Sequence, residues 1–346
     1  MKKNYVDVIG YQFEKVHTGI IAWLMNSANS PISLEEQAKI VGRFFPIMLS
    51  DDKLVKIIPT REYSFGRSSR IDLVLELVFS SHNKAYILIE CKVDSDASLE
   101  QLKRSEENFR KENPDGNIAA IILALGAGQF TLDGLNISGD KAINLPKAVK
   151  YFSDLPIEKN NNTYHDWINA LKAEMKRMHM VDQALSNVSS PWDKELLNKG
   201  YRIGFPIFYM MYDKIRQELN KGTNHNWVIY SGNNNPVMNW KDGWLPYKSK
   251  PDSIELYWEF NYDALCLKAA IYDETALQIW GTIREDIISL CEKITKNGRK
   301  TSNKKGKWVT GYKWDFDFCK DTPEEIASKT NRILSDVHNQ LLGILK

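Results

Sequence analysis

The chain has 346 residues, 43% of them hydrophobic and 26% charged, with a formal net charge of +2. That balance excludes large-scale disorder, and the length exceeds the ~250–300 residues that one core normally fills, so two packed domains, or one domain with a large elaboration, are expected. The near-zero charge excludes nucleic-acid binding driven by the field of the whole molecule and leaves only local patches to supply it.

Four cysteines at 91, 266, 291 and 319 form no CxxC pair and no disulfide framework, which suits a reducing compartment and indicates no zinc site. Residues 118–125 form the longest apolar run, far short of the ~20 needed to span a bilayer, and Asn4 onward supplies no signal-peptide core. A cytoplasmic protein without a membrane partner is expected.

In chain order, Ile9, Phe13, Val16, Ile20 and Leu24 recur with helical period, predicting a helix over 9–25 with Glu14 and His17 on its flank. Ser33-Leu-Glu-Glu36 is a capping-box start for a second helix, limited by Pro46. Residues 54–63 read as a strand interrupted by Pro59, and 61–70 as a basic connection. Then come two apolar runs of strand length, Arg70-Ile-Asp72 to Phe79 and Ala85 to Glu90-Cys-Lys92, separated by a short polar turn; together they predict an antiparallel hairpin. A polar helix over 97–112 and a doubly apolar strand over 118–125 follow; a helical crossover of that kind delivers a strand parallel to its neighbour.

The segment 155–162, with a proline and an asparagine cluster, is the best linker candidate, and 163–185 reads as a helix connecting two halves. The second half alternates strands (227–230, 254–260, 265–271, 307–318) with helices (201–220, 276–296, 323–345), an α+β module. There is no internal repeat of fixed period.

The hairpin carries the chemistry. With period-two alternation, Asp72, Glu90 and Lys92 share one face, while Ile71, Leu73, Ile89 and Cys91 face the other way. A turn centred near 81 and 82 sets Asp72 opposite Glu90 or Lys92. Two carboxylates beside an ammonium suit phosphodiester hydrolysis, because hard oxygens hold Mg²⁺ and a cation stabilises developing charge. Glu76 shares the face but lies ~13 Å along the strand from Asp72, too far for the same site. A cross-strand salt pair on a solvent-facing ribbon is the bland alternative.

Asp72 and Glu90-Cys-Lys92, within the order helix, three strands, helix, strand, resemble the PD-(D/E)XK nuclease superfamily. The resemblance implies a restriction-endonuclease-like mixed sheet flanked by helices over 1–155, a helical connector over 156–190, and a C-terminal α+β domain over 191–346 that positions substrate or mediates assembly. It implies a metal-dependent nuclease using Mg²⁺, with Mn²⁺ as a substitute. Asp72, Glu90 and the Cys91 backbone carbonyl would bind the cation, and Lys92 would act as base or charge stabiliser. Gln101 resembles the supporting glutamine of RecB-like branches, with Ser105 where those branches often have tyrosine; a capping box from Ser98 to Gln101 is its structural alternative. Glu14 resembles an upstream acid used by some branches as a further ligand. Glu14 with His17 also has the E-x-x-H spacing of di-iron bundles, but no second such pair exists.

DNA is the expected substrate, in a setting of restriction or anti-phage defence. A nuclease acting on RNA and a catalytically silent nucleic-acid-binding or interaction protein are the alternatives, and homo-oligomerisation is left open. Arg61, Arg67, Arg70, Lys103 and Arg104 flank the hairpin as candidate phosphate contacts. Residues 293–307 hold seven Lys or Arg and no acid, including Arg299, Lys300, Lys304 and Lys305, and read as a flexible basic loop suited to a nucleic-acid backbone. Seven of the ten tryptophans lie between residues 227 and 314, where most of them, Trp258 and Trp308 included, are expected to fill a sheet core.

Overall fold

The computed structural model describes residues 4–44, 52–66, 69–95, 99–126, 141–186, 201–221, 225–231, 236–247, 253–295, 297–302, 306–318 and 320–345. Arg67, Ser98, Lys304, Lys305 and Cys319 lie outside these residues. The chain divides into two compact units, Met1–Val181 and Asp182–Lys346.

The first unit is built on a sheet of five strands, β1 (Leu54–Phe65), β2 (Ser69–Phe79), β3 (Lys84–Lys92), β4 (Asn117–Ala124) and β5 (Ala142–Asn144), in that spatial order. Short turns make β1, β2 and β3 an antiparallel meander, whereas α4 (Leu99–Glu112) carries the chain over the sheet and returns β4 parallel to β3. This is the mixed, helix-flanked sheet that the residue pattern implied. Helices cover both faces. Leu73, Leu75, Ile87 and Ile89 pack with Ile20 and Leu24 of α2 (Glu14–Met25) and with Trp167 and Leu171 of α6 (Asn162–Ser186). Val74, Leu88 and Ile122 pack with Leu102 and Phe109 of α4.

Several expectations change. The single helix over 9–25 is two, α1 (Tyr5–Ile9) and α2, broken at Gly10, whose φ of 117° is accessible mainly to glycine and where a Cβ would stand 2.8 Å from the Phe13 ring. A further helix, α3 (Leu34–Phe44), begins beside Ser33, whose hydroxyl accepts from the Glu36 amide at 3.2 Å. Pro59 does not interrupt β1, because β1 is an edge strand on which a missing amide is tolerated. Ile71 lies with Phe65, Val74 and Leu88 rather than with Leu73 and Cys91. Regular alternation stops at Asp72: Ile71 and Val74 share one core and Leu73 belongs to the other, while the β1–β2 register runs unbroken from Arg61↔Leu73 to Tyr63↔Ile71 past Glu62, whose φ is 52°. The helix expected as a connector contributes Tyr164, Trp167 and Ile168 to the core of the first unit, after a short helix, α5 (Leu145–Ser153), that follows β5.

The second unit is a single antiparallel sheet with helices α7 (Tyr201–Asn220), α8 (Glu274–Ile294) and α9 (Pro323–Ile344). Its main path runs β11 (Gly298–Lys300), β12 (Trp308–Asp315), β10 (Ala264–Ile271), β9 (Ile254–Asn261), β7 (Pro236–Trp240) and β6 (Trp227–Ser231), with β8 (Leu245–Pro246) paired to β9. α9 opens with the full capping box of Thr322 and Glu325 and Pro323 in its first turn. Within the expected basic loop, Gly298, Arg299 and Lys300 form β11 against β12. No helix among the described residues is long and apolar enough to cross a membrane.

Candidate active site

The hairpin register pairs Leu73 with Ile89, so Asp72 and Glu90 stand one residue beyond that pair. There the ladder gives way to a side-chain contact: the Cys91 amide donates to Asp72 Oδ2 at 2.8 Å. Glu90 and Lys92 close β3 and are 4% and 8% exposed, so both charges are held in a poorly solvated place. Lys92 Nζ donates to Glu90 Oε1 at 2.8 Å. The Gln101 side-chain amide, from the first turn of α4, donates to the same oxygen. None of the described residues donates to Glu90 Oε2.

Glu14 enters at the start of α2. The Ser95 hydroxyl donates to Glu14 Oε1 at 2.6 Å, and a backbone hydrogen bond from Val93 also reaches that carboxylate. The helix start is fixed by a chain of buried hydrogen bonds. Trp167 Nε1 donates to His17 Nδ1 at 3.0 Å, so His17 carries its proton on Nε2 and donates it to the Tyr11 carbonyl at 2.7 Å; the Tyr11 hydroxyl donates to the Leu125 carbonyl at 2.7 Å. His17 is thereby a structural residue, and the di-iron spacing has no counterpart in space. Gly126 follows Leu125 where a Cβ would stand 2.6 Å from the Val93 carbonyl oxygen, which holds the β3 and β4 ends close.

Three carboxylates thus surround one ammonium. Burial is the first cause that pushes Glu90 up to about 7; the Asp72 and Glu14 charges add to it, and Lys92 opposes it. Asp72 is raised by burial against the Cys91 hydrogen bond and Lys92. Glu14 is raised by burial, with Lys92 and Ser95 opposing. Burial alone would lower Lys92, but Glu90, Glu14 and Asp72 outweigh it and hold the ammonium above its usual range. Excess negative charge in a desolvated pocket is the environment into which a divalent cation fits.

Among the described residues no three His, Cys, Asp or Glu side chains form a ready three-point metal clasp. The donor set nonetheless fits Mg²⁺, which keeps several waters and needs one or two carboxylates beside substrate phosphate. Asp72 and Glu90 supply those hard oxygens, and no donor among the described residues engages Glu90 Oε2. Glu76, by contrast, pairs with Lys84 at 2.8 Å, away from this group.

The candidate phosphate contacts are less uniform. Arg61 is exposed, and its guanidinium donates to the Lys15 carbonyl at 3.2 Å. Arg70 pairs with Glu62 at 3.0 Å, which Lys15 also meets at 2.8 Å. Lys103 and Arg104 are exposed on α4, in the helix that bears Gln101. Arg299 forks onto Asp315 at 2.6 and 3.2 Å, and Lys300 is exposed beside it. Ser105 is buried under α4. Sequence reasoning missed Ser95, and it placed Trp167 in a connector; no local pattern announces a contact such as that of Trp167 with His17, across 150 residues.

A family model of the PD-(D/E)XK nuclease superfamily matches residues 3–187, more than half of the chain. No curated protein and no solved structure matches it.

Proposed function

Because this chain belongs to the PD-(D/E)XK nuclease superfamily, whose members imply nuclease activity, we propose that it is a Mg²⁺-dependent nuclease that hydrolyses DNA phosphodiester bonds. Mn²⁺ is expected to substitute. The observation that carries the reading is the cluster of Glu14, Asp72 and Glu90 around Lys92 at the end of β3.

Asp72, Glu90 and the Cys91 carbonyl would hold the cation, with Glu14 at its edge. The bound cation would supply neutralisation of phosphate charge and a more acidic water. Every other task falls to side chains. Gln101 holds Glu90 by one oxygen and so orients the carboxylate. Lys92, kept protonated by its three acidic neighbours, is suited to position water and stabilise charge developing on phosphate oxygens rather than to remove a proton. Arg61, Arg70, Lys103 and Arg104 would meet the backbone without reading sequence. A role in restriction or anti-phage defence is proposed on family analogy alone.

The test incubates purified protein with supercoiled, linear and single-stranded DNA and with RNA, under Mg²⁺, Mn²⁺ and EDTA, beside Asp72→Ala and Lys92→Ala. DNA cleavage that needs metal and is lost in both variants is expected. Cleavage that persists in both sinks the site assignment, metal-dependent cleavage confined to RNA overturns the substrate, and binding without cleavage of any substrate overturns the enzyme.

A further inference from the structure

The second unit holds an aromatic surface of its own, on the outer side of its sheet. Along β12 the register changes phase: Leu267 pairs with Tyr312 but Lys268 pairs with Thr310, leaving Gly311 as the extra residue of a bulge. Tyr312 and Trp314 consequently fall on the helix-covered side, where Trp258 meets Trp314 and His338 of α9. Trp308 falls on the opposite side and is 51% exposed. Without the bulge, alternation would bury it with Trp314, which is why residue pattern alone assigned Trp308 to the core. Gly311 serves the bulge because a Cβ there would press to 3.1 Å from the Trp280 ring.

On its outer side Trp308 stands edge-on to Tyr257 and Trp244, which stack on each other at 4.5 Å between centroids and 8° between planes. Tyr272, 43% exposed, lies 6.4 Å from Trp308, and its hydroxyl donates to Glu255, which fixes the ring. Lys307 Nζ sits 5.4 Å from the Trp308 centroid and 5.6 Å from that of Tyr272. Lys307 also ends the stretch 293–307, with its seven cations and no acid. Exposed rings with a cation over them, joined in sequence to a basic run, match the requirements of unstacked bases on an anionic backbone: a π-face for each base and positive charge along the strand.

We propose that this face, centred on Trp308 and Tyr272 with Lys307, binds single-stranded nucleic acid by base stacking. The choice of partner rests on the nuclease reading; the binding does not. Duplex is disfavoured as the occupant because its bases are already stacked and offer the rings no free face.

The test measures fluorescence anisotropy of a labelled single-stranded DNA, the same sequence as RNA, and a blunt duplex, on full-length protein in EDTA so that no cleavage is required. Trp308→Ala and Tyr272→Ala are each expected to weaken single-strand binding about tenfold, with Trp308→Phe retaining most of it. Lys307→Ala should flatten the salt dependence by about 0.7 in log–log slope. Equal loss for DNA and RNA strands supports stacking indifferent to sugar, and loss for one alone identifies the strand used. Circular dichroism and the Phe variant separate loss of stacking from loss of fold. Single-strand affinity within twofold of wild type in both alanine variants overturns the proposal, as does duplex binding that falls in parallel. A change in sedimentation on Trp308→Ala without any change in oligonucleotide binding would make the face a protein contact and also overturn it. Failure of the nuclease reading looks different: no metal-dependent cleavage by any variant, with the Trp308→Ala binding loss intact.

Discussion

Among the described residues, each unit of this protein buries one glutamate–lysine pair in its sheet, and the two pairs are nearly the same object locally. Glu90 and Lys92 meet at 2.8 Å with side chains 6% and 11% exposed; Glu259 and Lys268 meet at 2.7 Å with side chains 7% and 13% exposed. The first pair sits on one strand beside Asp72 and Glu14, and Gln101 donates to it. The second spans β9 and β10, with Asn261 donating to Glu259 and the Tyr257 ring 5.7 Å from Lys268. A buried ion pair is therefore no sign of chemistry in itself. Surplus carboxylate charge is the distinguishing property: the first pair is one cation short of neutral twice over, and the second has a single acid for its single base.

The largest expected difference is in turnover. Glu90→Gln should lower metal-dependent cleavage by a hundredfold or more, since it would remove the charge of a proposed ligand oxygen, whereas Glu259→Gln should leave the single-turnover rate within about twofold. Stability should move the other way. Glu90→Gln relieves repulsion with Asp72 and Glu14, so the variant in EDTA should melt above wild type, while Glu259→Gln leaves Lys268 buried without its counter-charge and should melt below it. Equal melting shifts in the two variants would erase the proposed contrast.

Next in size, Lys268→Ala strands Glu259 in a desolvated sheet and should cost about 3–5 kcal/mol in denaturant unfolding of the second unit. Lys92→Ala should cost less, because Glu90, already pushed up to about 7, takes a proton instead and keeps the Gln101 bond. A Lys92→Ala penalty as large as that of Lys268→Ala would contradict the account.

The pair in the first unit also carries a pH signature. The Glu90 carboxyl titrates near 4.5 when unfolded and near 7 when folded, so between those values the folded state binds more protons than the unfolded one. Stability without metal therefore falls as pH rises through about 4.5 to 7. Saturating Mg²⁺, if held as proposed, would favour the carboxylate form and should flatten that fall, and Glu90→Gln should reduce it in EDTA, leaving the share of Asp72 and Glu14, which burial also raises. His338 of the second unit shifts the opposite way: burial first, then His225, lowers it below 6.5, so its contribution is complete above about 6.5 and lost as pH falls below that value. Melting curves at pH 5, 6, 7 and 8, followed with and without Mg²⁺, read both slopes; a first-unit transition that rises with pH in EDTA would overturn the assignment.

What the residue pattern revealed divides along the same line. Asp72, Glu90 and Lys92 were legible because period-two alternation places them on one face of a short hairpin. Gln101 and Glu14 were legible only through the resemblance, and the approach of Glu14 depends on a loop and a helix start far away in sequence. Trp308, Ile71 and the pair Glu259–Lys268 were not legible at all. Trp308 sits beside the bulge at Gly311 and Ile71 beside the change of face at Asp72, and a one-residue phase change sends a side chain to the other face. The third depends on the register of β9 against β10, which the sequence does not encode locally.

The smallest predicted effect isolates how the first pair is aimed. The second pair is held by its own two strands, but Glu14 reaches the first only because Trp167, His17 and Tyr11 tie the start of α2 to the end of β4. Trp167→Phe keeps the ring packing of Phe152 and Tyr164 and removes the hydrogen bond to His17 Nδ1, at a cost of about 1–3 kcal/mol to the first unit. Because the change loosens Glu14 and leaves Asp72, Glu90 and Lys92 in place, Mg²⁺ half-saturation should rise about three- to tenfold, within the range of lost outer support, with the maximal cleavage rate nearly unchanged. A Glu14→Gln variant should show the same rise, and combining the two should add little, since both act through one carboxylate. Additive effects would mean that Trp167 supports the site by a route other than Glu14, and that the chain of hydrogen bonds is scaffolding common to both faces of the sheet.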